Sequence, residues 1–367
     1  MPQAHLHLIA AARPNFMKIA PLWHQLRSER WARPTLVHTG QHYDTNMSDA
    51  FFRDLKLPEP DHHLGIGSGS HAEQTGNVMI AYERLCNDSR PDWIIVVGDV
   101  NSTLACALVG AKLRIKVAHL EAGLRSRDRS MPEEINRVIT DALADLLWTP
   151  SPDADANLLA EGIPAERIER VGNIMIDSYE LRRAAIEATR SHERMGLARK
   201  AYGVVTLHRP ANVDNERMLR LLVSELVGVS AELPLVFPIH PRTRQRLASF
   251  GLTPMLTAAA EIRLVQPMGY IDFMSLVSNA ALIITDSGGI QEETTYLGIP
   301  CLTLRDTTER PVTISEGTNR LLSADALQQT VRRVLGGEYS QGRIPALWDG
   351  HTAERVASSL RGRLAIW

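Results

Sequence analysis

Ile283-Ile284-Thr285-Asp286-Ser287-Gly288-Gly289-Ile290-Gln291-Glu292-Glu293 decides how the rest of the chain is read. A short β-branched run ends at Asp286, turns through two glycines and passes directly into helical spacing. A strand that turns at glycines into a helix is the repeating unit of parallel α/β sheets. The same turn suits an anion. The first N–H groups of a helix lack intrahelical partners, the helix dipole favours negative charge there, and glycines admit a close approach. Glu293, about one helical turn further on, is placed to hold two vicinal hydroxyls such as those of a ribose. The competing reading is a tight turn with Ser287 as helix cap.

Working outward, short apolar runs alternate with helical segments along the whole sequence. In the first half the runs are His5–Ala12, Thr35–Gly40, Trp93–Asp99, Ile115–Glu121 and Leu146–Pro150, with Arg170–Gly172 a weaker sixth. In the second half they are Gly203–His208, Leu233–His240, Ile262–Pro267, Ala281–Asp286, Cys301–Leu304 and Asn319–Leu322. Helical spacing separates them at Phe16–Leu26, Ala72–Leu85, Glu216–Leu226 and Ala324–Val334. Continuously apolar strands such as Ile94–Val97 predict sheets covered on both faces. The pattern therefore predicts an α/β chain of two doubly wound domains. The boundary is expected in the charged, strand-poor stretch Arg182–Lys200, giving domains 1–181 and 182–351. A final helix at Thr352–Leu364 is expected to pack back on the first domain. Arg13, Gln41-His42, Asp99 and Glu121 follow strands of the first half, and His208, His240 and Asp286-Ser287 follow strands of the second. Ligands of open α/β sheets bind beyond the carboxyl ends of the strands, so two domains facing across a cleft are expected.

Composition agrees with this and excludes other classes. The 367 residues suit two domains at about 150 residues each. Charged residues are 22% and hydrophobic residues 44%, which is ordinary globular composition. Lys plus Arg is 40 and Asp plus Glu is 42, for a net charge of −2. Such a chain has no bulk attraction for nucleic acid or anionic membranes. The three cysteines, Cys86, Cys106 and Cys301, form no C-x-x-C pair, against a disulfide framework or a zinc ribbon. Residues 1–8 lack the pattern of a signal peptide, and no apolar run is long enough to span a bilayer. The expected location is the cytoplasm.

Other motifs carry chemistry, each beside a plainer reading. In Arg305–Pro311, Arg310 suits diphosphate oxygens, or else belongs to a solvated loop with local ion pairs. Asp99, in Val97–Thr103, is placed to act on a substrate proton, to cap a helix or to brace a loop. Glu121, in His119–Arg125, is an unusual carboxylate at the end of a buried strand, with a structural ion pair as the alternative. Ser130 and Glu133 have capping-box spacing and Pro132 suits a helix start, so Glu133 is either structural or reactive. His208, in Thr206–Pro210, is placed to serve a leaving phosphate, or is a packed polar residue. Gly65-Ile66-Gly67-Ser68-Gly69-Ser70 has its third glycine misplaced for a dinucleotide fingerprint and follows no apolar strand, so it is expected to be a flexible loop. An NAD-dependent mechanism has no support.

Taken together, Arg13-Pro14 with Lys18, Gly40-Gln41-His42, Gly98-Asp99, His119–Arg125 with Pro132–Arg137, His208-Arg209, and Asp286–Glu293 with Arg305–Pro311 closely resemble the non-hydrolysing UDP-N-acetylglucosamine 2-epimerase family. The resemblance covers most of the chain. It implies two Rossmann-like domains in the glycosyltransferase-B arrangement, a homodimer, and interconversion of UDP-GlcNAc and UDP-ManNAc for bacterial surface polysaccharides. No metal or redox cofactor is implied. By position it places Arg13, His208, Ser287, Gly288, Gly289, Glu293 and Arg310 around UDP, adds Lys18 to the substrate-binding set, and puts Phe273 near the uracil. It places Asp99, Glu121 and Glu133 around the sugar. Some members bind substrate at a second, regulatory site beside the equivalents of Gln41 and His42. The chain departs from the family at Ala11-Ala12 (usually Gly-Thr), at Asn15 (commonly Glu), at Met268 (commonly Gln), and at Tyr43-Asp44, where the usual pattern is lost.

The chemistry implied is elimination followed by re-addition. The proton on C2 stands beside an amide nitrogen and is not acidic, and no carbonyl stabilises a carbanion. Breaking the C1–O bond to UDP first, or together with proton loss, gives a glycal. Returning UDP with protonation from the other face inverts C2. Rival readings are a glycosyltransferase of the same architecture, a hydrolysing 2-epimerase releasing free ManNAc, a nucleotide-sugar sensor without catalysis, and an epimerase of a related diacetamido sugar.

Overall fold

A computed structural model describes residues 3–11, 13–40 and 54–364, the side chains at 13 and 14 excepted. The described chain divides into two compact units, residues 1–181 with 346–367 and residues 182–345. The division falls within the helix Ile174–Thr189.

The first unit is built on a seven-stranded sheet: β1 (Ala4–Ala10), β2 (Ala32–His38), β3 (His62–His63), β4 (Trp93–Val97), β5 (Lys116–Leu120), β6 (Leu146–Thr149) and β7 (Ile168–Arg170). The spatial order is β3-β2-β1-β4-β5-β6-β7, with every pairing parallel. The second unit carries six strands: β8 (Gly203–Thr206), β9 (Leu235–Pro238), β10 (Ile262–Val265), β11 (Leu282–Thr285), β12 (Cys301–Thr303) and β13 (Asn319–Leu321). Their order is β10-β9-β8-β11-β12-β13, again all parallel. Both orders are of the doubly wound type, reversing beside the first strand. The reversal lies between β1 and β4 in one unit and between β8 and β11 in the other, so the turns after these strands open at the ligand end of each sheet. β3 was not foreseen. It pairs only His62 with Val37 and His63 with His38, too short a run for any apolar period.

Central strands are apolar throughout because helices cover both faces: every residue of β4 and of β11 is buried. Around β4 the core gathers Tyr82, Ile94, Val96, Val109, Val117 and Leu147. Around β11 it gathers Leu222, Leu226, Phe237, Leu247, Ile284 and Val331. The helix Glu216–Ser230 shows how sequence sets such packing. Leu219, Leu222, Val223, Leu226 and Val229 recur at three- and four-residue spacing and form its buried stripe. Asn215 caps it by accepting the Met218 N–H at 3.1 Å. The helix Thr352–Leu364 packs against the helix Arg13–Ser28 within the first unit. Its start is fixed by the Ala353 N–H, which donates to Asp177 at 2.7 Å. Just before it the Trp348 indole donates to the Pro150 carbonyl at 2.9 Å.

The Gly65–Ser70 segment is a loop that ends in a capping box: Ser70 Oγ accepts from the Glu73 N–H, and the Glu73 carboxylate accepts from the Ser70 N–H at 2.8 Å.

Candidate active site

In the first unit, the chain leaves β4 and β5 through backbone turns that aim carboxylates beyond the sheet. Gly98 has φ +68° and Glu121 has φ +70°. A left-handed residue cannot continue a strand, which is why β4 and β5 stop short of Asp99 and Glu121. Glycine adopts this conformation freely, whereas a residue with a Cβ is strained in it by about 1–2 kcal/mol. Glu121 is 4% exposed. One of its oxygens pairs with the Lys18 ammonium, and the other, Oε1, is buried and has no hydrogen-bond partner among the described residues. A Cβ on Gly98 would lie 3.1 Å from Lys18 Nζ, so the glycine is what allows the pair to close over the turn. Beside it Asn15 donates to the Val97 carbonyl at 2.9 Å.

Asp99 is partly exposed and pairs with Arg137. It does not cap the following helix, whose cap position is Val100. Arg137 also donates to Glu134 at 2.7 Å, and Asn136 donates to the Asp99 carbonyl at 2.8 Å. The capping box expected of Ser130 and Glu133 does not form. The helix runs Pro132–Leu143 from Met131, without a side-chain cap. Ser130 instead gives its hydroxyl to Asp128 at 2.6 Å and its N–H to the same carboxylate at 2.9 Å, a local turn that competes with the cap. The residue that turns inward is Glu134, which accepts the N–H groups of Ser126 and Arg127 at 2.9 and 2.8 Å. Glu133 is half-buried on the first turn.

In the second unit, Asp286 follows β11 fully buried and collects four donors: the backbone N–H of His208 at 3.0 Å, that of Arg209 at 2.9 Å, the Asn212 amide at 3.1 Å and His208 Nδ1 at 3.0 Å. Burial works to raise its pKa, but His208 and the N–H donors outweigh it and hold the carboxyl below its ordinary value. The Nδ1 contact leaves the His208 Nε2 side for other partners, and the ring is about one-third exposed. Ser287 stands at the cap position of the helix Gly288–Leu297, but its side chain makes no cap bond, so the plain-cap reading does not hold. Gly288 packs against the Arg310–Glu309 pair, since a Cβ there would lie 2.7 Å from Arg310 Nη1 and from Glu309 Oε1. Around Gly289 a Cβ would meet nothing within 4 Å.

Arg310 is not on a solvated loop. It is 8% exposed and pairs with Glu292 at 2.9 Å and with Glu309. Burial raises the Glu309 carboxyl, but Arg310 and Arg305 outweigh it and hold it well below the usual range. Glu293 is buried and accepts the Tyr270 hydroxyl at 3.0 Å. Burial, opposed by that hydrogen bond and reinforced by the Glu292 charge, pushes its pKa up to about 8. Phe273 is half-buried on the helix Tyr270–Ser278.

The structure thus brings Lys18 to Glu121, and groups Gly288 with Arg310. Gln41 and His42 lie outside the described residues, as does the Arg13 side chain. The sequence reading missed Tyr270, Asn212 and Glu292 as partners, whereas the Glu309 pairs are the local ion pairs offered as the plainer reading of Arg305–Pro311. It also missed Asp141, four residues after Arg137 and so on the same helix face. Among the described residues no cluster of three His, Cys, Asp or Glu side chains is arranged for a metal ion, and no helix is long and apolar enough to cross a membrane.

The profile of the family UDP-N-acetylglucosamine 2-epimerase matches residues 24–361. A UDP-N-acetylglucosamine 2-epimerase of Methanocaldococcus jannaschii is 42% identical over 337 residues, covering 90% of this chain and 91% of the relative. A UDP-2,3-diacetamido-2,3-dideoxy-D-glucuronate 2-epimerase of Pseudomonas aeruginosa is 38% identical over 334 residues, covering 89% and 91%. The crystal structure of the M. jannaschii UDP-GlcNAc 2-epimerase in complex with UDP-GlcNAc and UDP superposes with a TM-score of 0.89 at 40% identity, over 97% of this chain and 99% of that one.

Proposed function

Because this chain belongs to the UDP-N-acetylglucosamine 2-epimerase family, we propose that it interconverts UDP-GlcNAc and UDP-ManNAc at C2, without net hydrolysis, through elimination of UDP and its re-addition to a glycal. The observation that carries this reading is Glu121, a buried carboxylate held on one oxygen by Lys18, without a partner on the other among the described residues, and kept in a strained backbone conformation beyond β5.

The second unit holds the nucleotide. The N–H groups at the start of Gly288–Leu297, following Ser287, receive the diphosphate together with Arg310, while Glu293 takes the ribose hydroxyls and Phe273 lies near the uracil. His208, braced through Nδ1 by Asp286, presents Nε2 to the leaving phosphate oxygen. Arg13 joins the nucleotide set on the strength of the family resemblance. The first unit supplies the sugar chemistry through Asp99, Glu121 and Glu133, with Lys18 assisting. As the C1–O bond breaks, UDP leaves with the bonding electrons, a carboxylate takes the C2 proton, and the C–H electrons become the C1=C2 double bond of the glycal. In the return step a UDP oxygen bonds to C1 and a proton is delivered to C2 from the opposite face. Nothing in these steps changes oxidation state or calls for a metal. The enzyme acts in the cytoplasm as a homodimer and supplies precursor for surface polysaccharide.

The 38% identity to the P. aeruginosa enzyme favours one second reading, a substrate carrying a further acetamido group. Proton NMR of UDP-GlcNAc with the enzyme in D2O tests both. The expected result is UDP-ManNAc, deuterium at C2 of both UDP-sugars, and a small leak of UDP and 2-acetamidoglucal. Free ManNAc would make the enzyme hydrolysing, and full retention of the C2 proton would overturn elimination. No reaction, with turnover of the diacetamido sugar instead, would transfer the mechanism to that substrate.

A further inference from the structure

The turns that carry Asp99 and Glu121 are joined by a buried network that has no part in the chemistry above. Asp141, on the helix Pro132–Leu143, is 1% exposed and receives three donors. His119 Nδ1 reaches Oδ1 at 2.6 Å, and the Gly123 N–H and the Arg125 guanidinium reach Oδ2 at 3.0 and 2.7 Å. His119, fully buried, uses its other ring nitrogen to donate to the Gly98 carbonyl at 2.8 Å. Each ring nitrogen thus faces an oxygen, one on Asp141 and one on the Gly98 backbone. Arg125 completes the network with a two-bond contact to Glu161 at 2.8 and 2.6 Å. Although burial pushes the Asp141 carboxyl up, His119 and Arg125 hold it below its ordinary value.

The backbone explains what this network holds. Gly98, Glu121 and Gly123 have φ values of +68°, +70° and +81°. The chain leaves β4 at the first and β5 through the other two. Glu121 alone of the three has a Cβ, so its conformation persists only where its surroundings enforce it. The segment is anchored on one side by His119 and on the other by the Gly123 N–H, and both anchors end on the one Asp141 carboxylate. Gly123 is also wedged in place, since a Cβ there would lie 2.4 Å from the Ala154 carbonyl oxygen. Through His119 the same carboxylate reaches the Gly98 carbonyl, one residue before Asp99.

We propose that Asp141 and His119 are positioning residues of the epimerisation, clamping the turn after β4 to the turn after β5 and so fixing the separation and aim of Asp99 and Glu121. The proposal rests on the epimerase reading given above. Two groups that act on one carbon from opposite faces must hold their spacing, and a misplacement of about 1 Å costs on the order of 100-fold in rate. A cluster serving the core alone would affect melting and leave the chemistry of the folded enzyme unchanged.

Asparagine places an amide nitrogen where Nδ1 of histidine lies, and glutamine places one where Nε2 lies. His119→Asn therefore keeps the Asp141 bond and gives up the Gly98 carbonyl, whereas His119→Gln does the reverse. Kinetics are measured well below the melting temperature of each variant. The expected result for His119→Asn and Asp141→Asn is UDP affinity near wild type by calorimetry and a kcat lower by roughly 10- to 100-fold. A larger share of turnovers should release free glycal and UDP. His119→Gln, which gives up the Asp141 bond, should lose rate to a similar extent. Should Asp141→Asn fail to fold, the two His119 variants carry the test. Wild-type kcat and partition in folded His119→Asn would overturn the clamp while leaving the epimerase intact. Absence of epimerisation by the wild-type enzyme would instead overturn the functional reading itself.

Discussion

Glu121 and Glu133 pose opposite problems at the scale of single residues. That a carboxylate ends the strand at Glu121 was legible, because an acidic side chain after a buried apolar run is unusual. Its left-handed backbone and its oxygen without a partner among the described residues were not, since the first goes with the His119 and Gly123 anchors on Asp141 and the second with Lys18, both from distant parts of the chain. Glu133 was misleading in the other direction. Its spacing from Ser130 fits a capping box, but Asp128 takes the serine hydroxyl and the helix starts at Pro132. With that structural role gone, glutamine at this position removes only charge and proton transfer. Glu133→Gln is expected to melt within about two degrees of wild type and to lose on the order of 10²–10⁴ in kcat, the usual scale of a general acid or base. Ser130→Ala should change neither. Near wild-type turnover by Glu133→Gln would leave the proton chemistry to Asp99 and Glu121.

Elements are read from sequence where their period is long and their ends are marked. The strand-to-helix turn at Ser287-Gly288-Gly289 has both properties, and both parallel sheets follow from repeats of that unit. β3 has neither, and no sequence signal marks a two-residue strand. One buried partner of Arg310 was also hidden. Glu292 reaches it from the helix Gly288–Leu297, a segment that only the fold brings to the loop after β12, whereas Glu309 is its neighbour in sequence. The turn itself offers a clean experiment, because its two glycines differ. A methyl group at Gly288 would press on the Arg310–Glu309 pair, whereas at Gly289 it would meet no protein atom within 4 Å. Gly289→Ala is therefore expected to keep the melting temperature of wild type and weaken UDP binding by at least about tenfold, or 1.4 kcal/mol. Calorimetry reporting unchanged UDP affinity would show that no ligand approaches this helix start.

At the scale of the whole molecule, one buried group in each unit links stability to pH, and the two act in opposite directions. In the first, burial and then the charges of His5, His62 and Arg33 push the His7 pKa down to about 3. The unfolded chain binds that proton near pH 6.5, so this stability is present above pH 6.5 and is lost as pH falls toward 3. In the second, Glu293 is raised from 4.5 to about 8, so the folded state binds the extra proton, and its contribution is lost as pH rises from 4.5 through 8. Glu293→Gln cannot ionise there. Its melting temperature relative to wild type should rise by a few degrees between pH 5 and pH 9, the size expected for about 1 kcal/mol or more. Equal differences at the two pH values would show that Glu293 is not a buried acid. No tryptophan occurs in residues 182–345, so indole fluorescence follows the first unit and should miss most of this change. The division that separates these probes also fixes an order of events during synthesis. Residues 182–345 form an uninterrupted stretch, whereas the first unit needs residues 346–367, including the helix Thr352–Leu364 that packs on Arg13–Ser28. Along the chain the second unit is therefore complete before the first, begun earlier, has its last helix.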